Sequence, residues 1–155
     1  MPCFVLPTIQ KREPKPPLMH LICIGEERVQ EQLTMYPKVF DNGNKISISA
    51  DIPSAPIEHI CPLFQMQTAM TIKDPSNPDS KVFPEGRKSI TLEQAIKAVT
   101  INQARQLLME DKIGTIEVGK YADLVVLSKN LFDVKPDNIS KVKMEMTMMG
   151  GKVTY

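Results

Sequence analysis

The stretch Gly114-Thr115-Ile116-Glu117-Val118-Gly119-Lys120-Tyr121-Ala122-Asp123-Leu124-Val125-Val126-Leu127 constrains the fold more than any other part of the chain. Gly114 and Gly119 supply backbone freedom where a chain reverses or takes positive φ. Leu124 to Leu127 then predict a short strand buried on both faces. Taken alone this is architecture, and it fixes what must come before and after.

Before it, Thr100-Ile101-Asn102-Gln103-Ala104 opens a helical stretch through Leu107, Leu108 and Met109, which Asp111-Lys112-Ile113-Gly114 terminates. A helix precedes that one: Ser89 or Thr91 with Glu93 or Gln94 is a start signature, and Leu92, Ala95, Ile96, Val99 and Ile101 carry the 3.6-residue period. Two short helices in tandem are expected. After the strand, Asn130 to Asn138 is a polar, proline-bearing connection, and Val142 to Met149 alternates charged residues with Val and Met, as a strand with one wet face does. Gly150-Gly151 followed by Lys152-Val153-Thr154-Tyr155 predicts a tight hairpin.

Further upstream, Lys73 to Lys88 reads as a surface loop, and Ile57 to Ile72 as a helix burying Ile60, Leu63, Phe64, Gln67 and Met70. Lys45-Ile46-Ser47-Ile48-Ser49-Ala50 alternates with the period of a strand that stops at Asp51-Ile52-Pro53. Asp41-Asn42-Gly43-Asn44 is a turn with Gly43 as its left-handed residue. A helix from Glu26, carrying Val29, Leu33, Tyr36 and Phe40, should end or bend at Pro37 near Tyr36. Pro2, Pro7, Pro14, Pro16 and Pro17 beside Lys11, Arg12 and Lys15 make residues 1–20 an extended arm. The expected organisation is a proline-rich arm over residues 1–21, an α/β segment over 22–110 and a β-rich segment over 111–155.

A chain of 155 residues supports one domain with a real core but is too short for a complete (β/α)8 barrel. Nineteen basic against eighteen acidic side chains give a formal net charge of +1, which calls for neither nucleic acid nor an anionic membrane as partner. Cys3, Cys23 and Cys61 are odd in number and widely spaced, so they predict reduced thiols rather than a disulfide framework or a zinc knuckle. Phe4-Val5-Leu6 is too short for a signal-peptide core and no apolar run has membrane-spanning length, so the default compartment is the cytoplasm.

The histidines, His20 and His59, lack Cys, Asp or Glu partners at a zinc-ligand spacing, and His59 at a helix start suits a packed or solvent-facing role. Ser49 and Ser54 have no Gly-x-Ser-x-Gly context, and no glycine-rich loop has phosphate-cradling spacing. Asp51 stands out. An acidic residue at the C-terminal end of a strand, followed by a proline-containing loop, sits where α/β folds place catalytic groups. From spacing alone, a carboxylate that caps the next helix or satisfies loop amides is the favoured account over catalysis.

Four segments, in order, resemble the C-terminal part of the metal-dependent amidohydrolase superfamily. Ile48-Ser49-Ala50-Asp51-Ile52-Pro53 is similar to the Gly-Ser-Asp-x-Pro that ends its eighth barrel strand, with Ser49-Ala50 in place of Gly-Ser. Ile90-Thr91-Leu92-Glu93-Gln94-Ala95 and Val99-Thr100-Ile101-Asn102-Gln103-Ala104 resemble its Thr-Leu-x-Glu-Ala and Thr-x-Asn-x-Ala helices. Ile113 to Leu127 resembles its Gly-x-Ile-x-x-Gly-Lys-x-Ala-Asp-Leu-Val-Val-Leu return strand, and Met149-Gly150-Gly151-Lys152-Val153 its closing hairpin. The segment from Ile24 to Arg28 and the turn from Pro37 to Gly43 resemble the family 3, exoenzyme-regulatory-like branch. The resemblance runs from about residue 22 to the end.

That resemblance implies an α/β fragment comprising the last strand and helix of a TIM-like barrel, plus strands of the flanking small β-domain. It implies hydrolysis of carbon–nitrogen bonds other than peptide bonds, with Asp51 both catalytic and a ligand of a divalent metal, zinc first among them. The family's His-x-His pair, bridging Lys or Glu and later histidine ligands have no counterpart here, so the chain alone is expected to hold no metal and to be inactive. A missing N-terminal portion or a second copy of the chain would be the partner that covers exposed strand edges, and the substrate would be a small molecule. A non-catalytic binding or oligomerising module, using residues 1–20 and 73–88 as contact surfaces, ranks second. An α/β domain with no site, in which Asp51→Ala is neutral, ranks third.

Overall fold

The computed structural model describes Gly25, residues 27–28, 36–50, 57–77, 79–82, Gly86 and residues 88–155. The proline-rich arm, His20, Cys3, Cys23 and Asp51 lie outside the described residues.

Helix α1 is Tyr36–Asp41, with Pro37 in its first described turn; the stop or bend expected there concerns a helix whose residues 29–35 lie outside the described ones. Proline removes only its own N–H and crowds only the turn before it, leaving the residues after it free to continue the helix. Helix α1 itself is closed at Gly43, the left-handed turn residue the sequence predicts. Its φ of +75° lets the Gly43 N–H reach Phe40 O at 2.9 Å and the Asn44 N–H reach Val39 O at 3.1 Å, which ties off the last carbonyls.

The single helix predicted over Ile57 to Ile72 is two pieces, a 3-10 turn at Ile57–Ile60 and helix α2 at Pro62–Thr71. Pro62 explains the division: it cannot donate back into a preceding turn but is at home in the first turn of a new helix. Leu63, Met66, Gln67 and Ala69 are buried, whereas Ile60, placed before the break, is 39% exposed. Helix α3, Leu92–Val99, starts on a complete capping box in which Thr91 Oγ1 accepts from Gln94 N and Gln94 Oε1 accepts from Thr91 N. Helix α4, Ile101–Gln106, follows after Thr100. Its last carbonyls are closed by Leu108 in the left-handed region at φ +56°, where Leu108 N reaches Arg105 O and Met109 N reaches Ala104 O.

The core gathers Ile46, Ile48, Leu63, Met66, Ala69, Ile90, Ala95 and Ala98 with Leu131, Ile139 and Val142. Of the last three, Leu131 lies in the connection predicted as polar, Ile139 just beyond it and Val142 at the expected start of the next strand; the region folds into 3-10 turns at Leu131–Asp133 and Pro136–Lys141, and the strand begins later, at Met144. Buried Gln67 holds the second turn against α2. Its Nε2 donates to Asp137 O at 3.0 Å and its Oε1 accepts from Ser140 N at 2.8 Å. Ile139 is thereby pressed to full burial.

Among the described residues a three-stranded antiparallel sheet completes the α/β architecture: β1 Leu124–Leu127, β2 Met144–Met149 and β3 Lys152–Val153, in that order. Leu124 pairs with Met148 and Val126 with Met146, and Met148 pairs with Val153, so these apolar residues share one face. Val125 and Thr147 lie on the other. The Gly150-Gly151 hairpin is formed as expected and is fastened to the preceding turn: Gly150 N donates to Asp123 Oδ1 at 2.7 Å and Gly151 N to Ala122 O at 3.1 Å.

Two sequence expectations about strands fail. Val125 and Val126 are 56% and 41% exposed, so β1 is not buried on both faces. A run of four apolar residues fits a doubly covered strand only where a layer lies on each side, and of β1 only Leu127 packs against the core. Residues 45–50 keep the predicted alternation, with Ile46 and Ile48 buried, but belong to no sheet. No described strand lies beside them, and their backbone partners come from helices instead.

Candidate functional site

The structure describes the approach to Asp51 rather than Asp51 itself. Ile46 and Ile48 are 6% and 2% exposed, too deep for water to satisfy their carbonyls. Asn102 Nδ2 donates to Ile46 O at 2.9 Å, and Gln103 Nε2 donates to Ile48 O at 2.6 Å. Ile48 N donates to Ala98 O at 3.3 Å, using a carbonyl left free at the end of α3. Ser47 Oγ bonds to Gln106 Oε1 on the same helix α4. Two consecutive carboxamides and two helix ends thus do the work of a neighbouring strand.

The local sequence explains why those carboxamides are available. Ala104 is buried, and Gly114 lies so close to Ile101 and Ala104 that an added Cβ would sit 2.9 Å from Ile101 Cα and 2.7 Å from Ala104 Cβ. With Ile101 and Ala104 turned to that side, the helical period directs Asn102 and Gln103 to the other. Arg105 Nη1, 3.4 Å from Asn102 Oδ1, fixes which way the Asn102 amide faces. Sequence reasoning noted Asn102 and Gln103 only as part of a family-like motif. The readable signal was a pair of amides at the start of a short helix whose apolar positions lie on the opposite face.

His59 stacks on Phe64, with ring centroids 4.2 Å apart and planes 17° apart, which is the packed role allowed for it. Gln65 Nε2 secures the turn around it by donating to His59 O at 3.1 Å and Ile60 O at 3.3 Å. Cys61 is a free thiol at the N-cap of α2 and makes no side-chain capping bond. In the loop after α2, buried Asp74 accepts from Ser76 N at 2.9 Å and Ser76 Oγ at 2.5 Å, so its carboxylate is spent on the turn. On the turn before β1, hydrogen bonds from Thr115 and Lys120, together with the Lys120 charge, hold the Glu117 carboxyl below its ordinary range. Among the described residues no group of three or more His, Cys, Asp or Glu could hold a metal ion. No described helix is long and apolar enough to cross a membrane.

Comparison with known proteins gives this geometry a context. Residues 19–155 match the model of the amidohydrolase family. The Arabidopsis thaliana protein LONG AFTER FAR-RED 3 is 30% identical over 132 residues, which are 85% of this chain and 21% of that protein. An imidazolonepropionase of Thermoplasma acidophilum is 30% identical over 118 residues, 76% of this chain and 25% of the enzyme. Among solved structures, an amidohydrolase from Thermotoga maritima superposes with a TM-score of 0.57 at 30% identity, covering 79% of this chain and 26% of the other. The chain therefore spans about a quarter or less of the length of these relatives. The match over nearly all of its residues, and the order of helices and strands within it, establish that the chain belongs to the amidohydrolase family.

Proposed function

We infer that the chain is the C-terminal portion of an amidohydrolase-like hydrolase acting on carbon–nitrogen bonds other than peptide bonds, with Asp51 as its recognisable active-site residue. The observation that carries this reading is the pinning of Ile46 and Ile48 by Asn102 and Gln103 within a chain of this family, because it holds the segment that runs directly into Asp51. In this reading residues 22–110 derive from the last strand and helix of the barrel, and residues 111–155 from the flanking β-domain. The setting is cytoplasmic and the substrate a small molecule.

The described residues do not fit a metal centre by themselves. Asp51 would be one donor among several, the rest supplied by a preceding portion of the fold or by a second chain. No catalytic step is therefore assigned through a metal, and the chain alone is expected to be inactive. Elemental analysis and a panel of amides and cyclic imides test this. Expected are no turnover by the isolated chain and zinc-dependent hydrolysis once a portion bearing a His-x-His pair is supplied, abolished by Asp51→Ala. Hydrolysis that survives Asp51→Ala would overturn the assignment.

The exposure of Val125 and Val126 on β1, the outer strand among the described residues, favours a second reading, a non-catalytic module that docks or oligomerises through this sheet. Sedimentation that stays monomeric at high concentration would exclude self-association as its purpose.

A further inference from the structure

Residues 45–50 pose a register problem. In a sheet, a one-residue slip is resisted because every ladder bond breaks and every side chain changes face. Among the described residues no ladder flanks this segment, yet its two buried isoleucines must both face the core.

We propose that Gln103, seconded by Asn102, is a positioning residue that sets the register of residues 46–50, the segment that leads into Asp51 in the sequence. The link to chemistry rests on the reading of Asp51 given above.

In an alternating segment, residues two apart present their carbonyls to the same side. The carbonyls of Ile46 and Ile48 are such a pair, and each takes one carboxamide, at 2.9 Å and 2.6 Å. Consecutive helical residues diverge by about 100°, and the extra methylene of Gln103 lets both reach one line of acceptors. A slip of one residue would turn the carbonyls of Ile46 and Ile48 away from both amides at once and expose both isoleucines. The pair therefore reads register, which a single bond could not do. The Asn102 amide cannot simply rotate to follow, because Arg105 holds its Oδ1.

The test is amide hydrogen exchange at Ile48, whose N–H is protected by Ala98 O, in the wild-type chain, in Gln103→Met and in Gln103→His. Met keeps the bulk without the donor, and the His Nε2 reaches about as far as the amide it replaces. Expected is an Ile48 amide that exchanges about five- to tenfold faster in Gln103→Met and is restored in Gln103→His. The urea midpoint falls, because the buried Ile48 carbonyl loses its donor, while the α3 amide of Ala95 speeds up less than that of Ile48. Where hydrolysis is obtained, Gln103→Met lowers kcat and leaves KM in place. An unchanged Ile48 amide overturns the proposal. So does a rise shared equally by Ala95, which would make Gln103 a general prop of the fold. If Gln103→Met does not fold, Gln103→Asn, one methylene short of Ile48, takes its place in the same comparison. Hydrolysis indifferent to Asp51→Ala, with Ile48 behaving as expected, would remove the functional reading and leave the register role standing.

Discussion

Replacing Gly114 by alanine should destabilise the protein by roughly twice the cost of the same change at Gly119, although the two glycines lie five residues apart and have nearly the same φ, +94° and +93°. Adding a Cβ in that region costs about 1–2 kcal/mol wherever it is done. At Gly119 nothing lies within 4 Å of the new atom, so that cost is the whole effect. At Gly114 the new atom would meet Ala104 Cβ at 2.7 Å and Ile101 Cα at 2.9 Å, well inside van der Waals contact, and neither is the yielding end of a flexible side chain. Overpacking of this kind adds about 1–3 kcal/mol, for a total of roughly 2–5 kcal/mol. Urea unfolding of the two variants measures the difference directly, and Ala104→Gly in the Gly114→Ala background should return part of it. Equal losses at the two positions would refute the reasoning, because the close approach of the turn to α4 would then carry no energy.

Gln67→Leu leaves Ser140 N and Asp137 O without partners beneath α2, so a loss of about 1–3 kcal/mol and faster exchange of the Ser140 amide are expected. Leu108→Gly should raise stability by about 1 kcal/mol, since it relieves a left-handed leucine whose side chain is 87% exposed and packs little; an unchanged urea midpoint would contradict this. The Glu117 carboxyl, held below its unfolded value by Thr115 and Lys120, stabilises the fold above the unfolded pKa and loses that contribution as pH falls through the folded one. Glu117→Gln should therefore flatten the acid side of the stability profile and leave the alkaline side unaltered, as read by midpoints across pH.

Local chemistry was legible wherever the cause lay within a few residues. The Thr91 and Gln94 capping box, the left-handed turn at Gly43 and the Gly150-Gly151 hairpin all satisfy their groups nearby, and all appear where the sequence places them. What could not be read depends on partners far along the chain. Gln67 was expected on the buried side of its helix, but its reason for being there is a turn some seventy residues later. The alternation at residues 45–50 was correct and its explanation was not, because side-chain amides from α4 substitute for a strand. Leu108 carries no glycine-like signal for its left-handed backbone. Burial of β1 was overestimated because an apolar run reports what a strand is suited to meet, not what the chain supplies. Of the candidate site, Asp51 was singled out by its place after the alternating segment, while the side chains that hold that segment were not.

Helix α4 is six residues long and engaged on both sides: Ile101 and Ala104 seat Gly114, and Asn102 and Gln103 reach Ile46 and Ile48. A helix committed on opposite faces behaves like a key cut on two edges. Inserting or deleting one residue within it would rotate everything beyond by about 100°, so either the glycine seat or the amide pair would be lost, whatever residue was chosen. Evolution can therefore change the exposed Leu107 and Leu108 freely but has little room to change the length of the span from Thr100 to Gly114. In related chains, insertions should collect elsewhere and leave this interval at constant length.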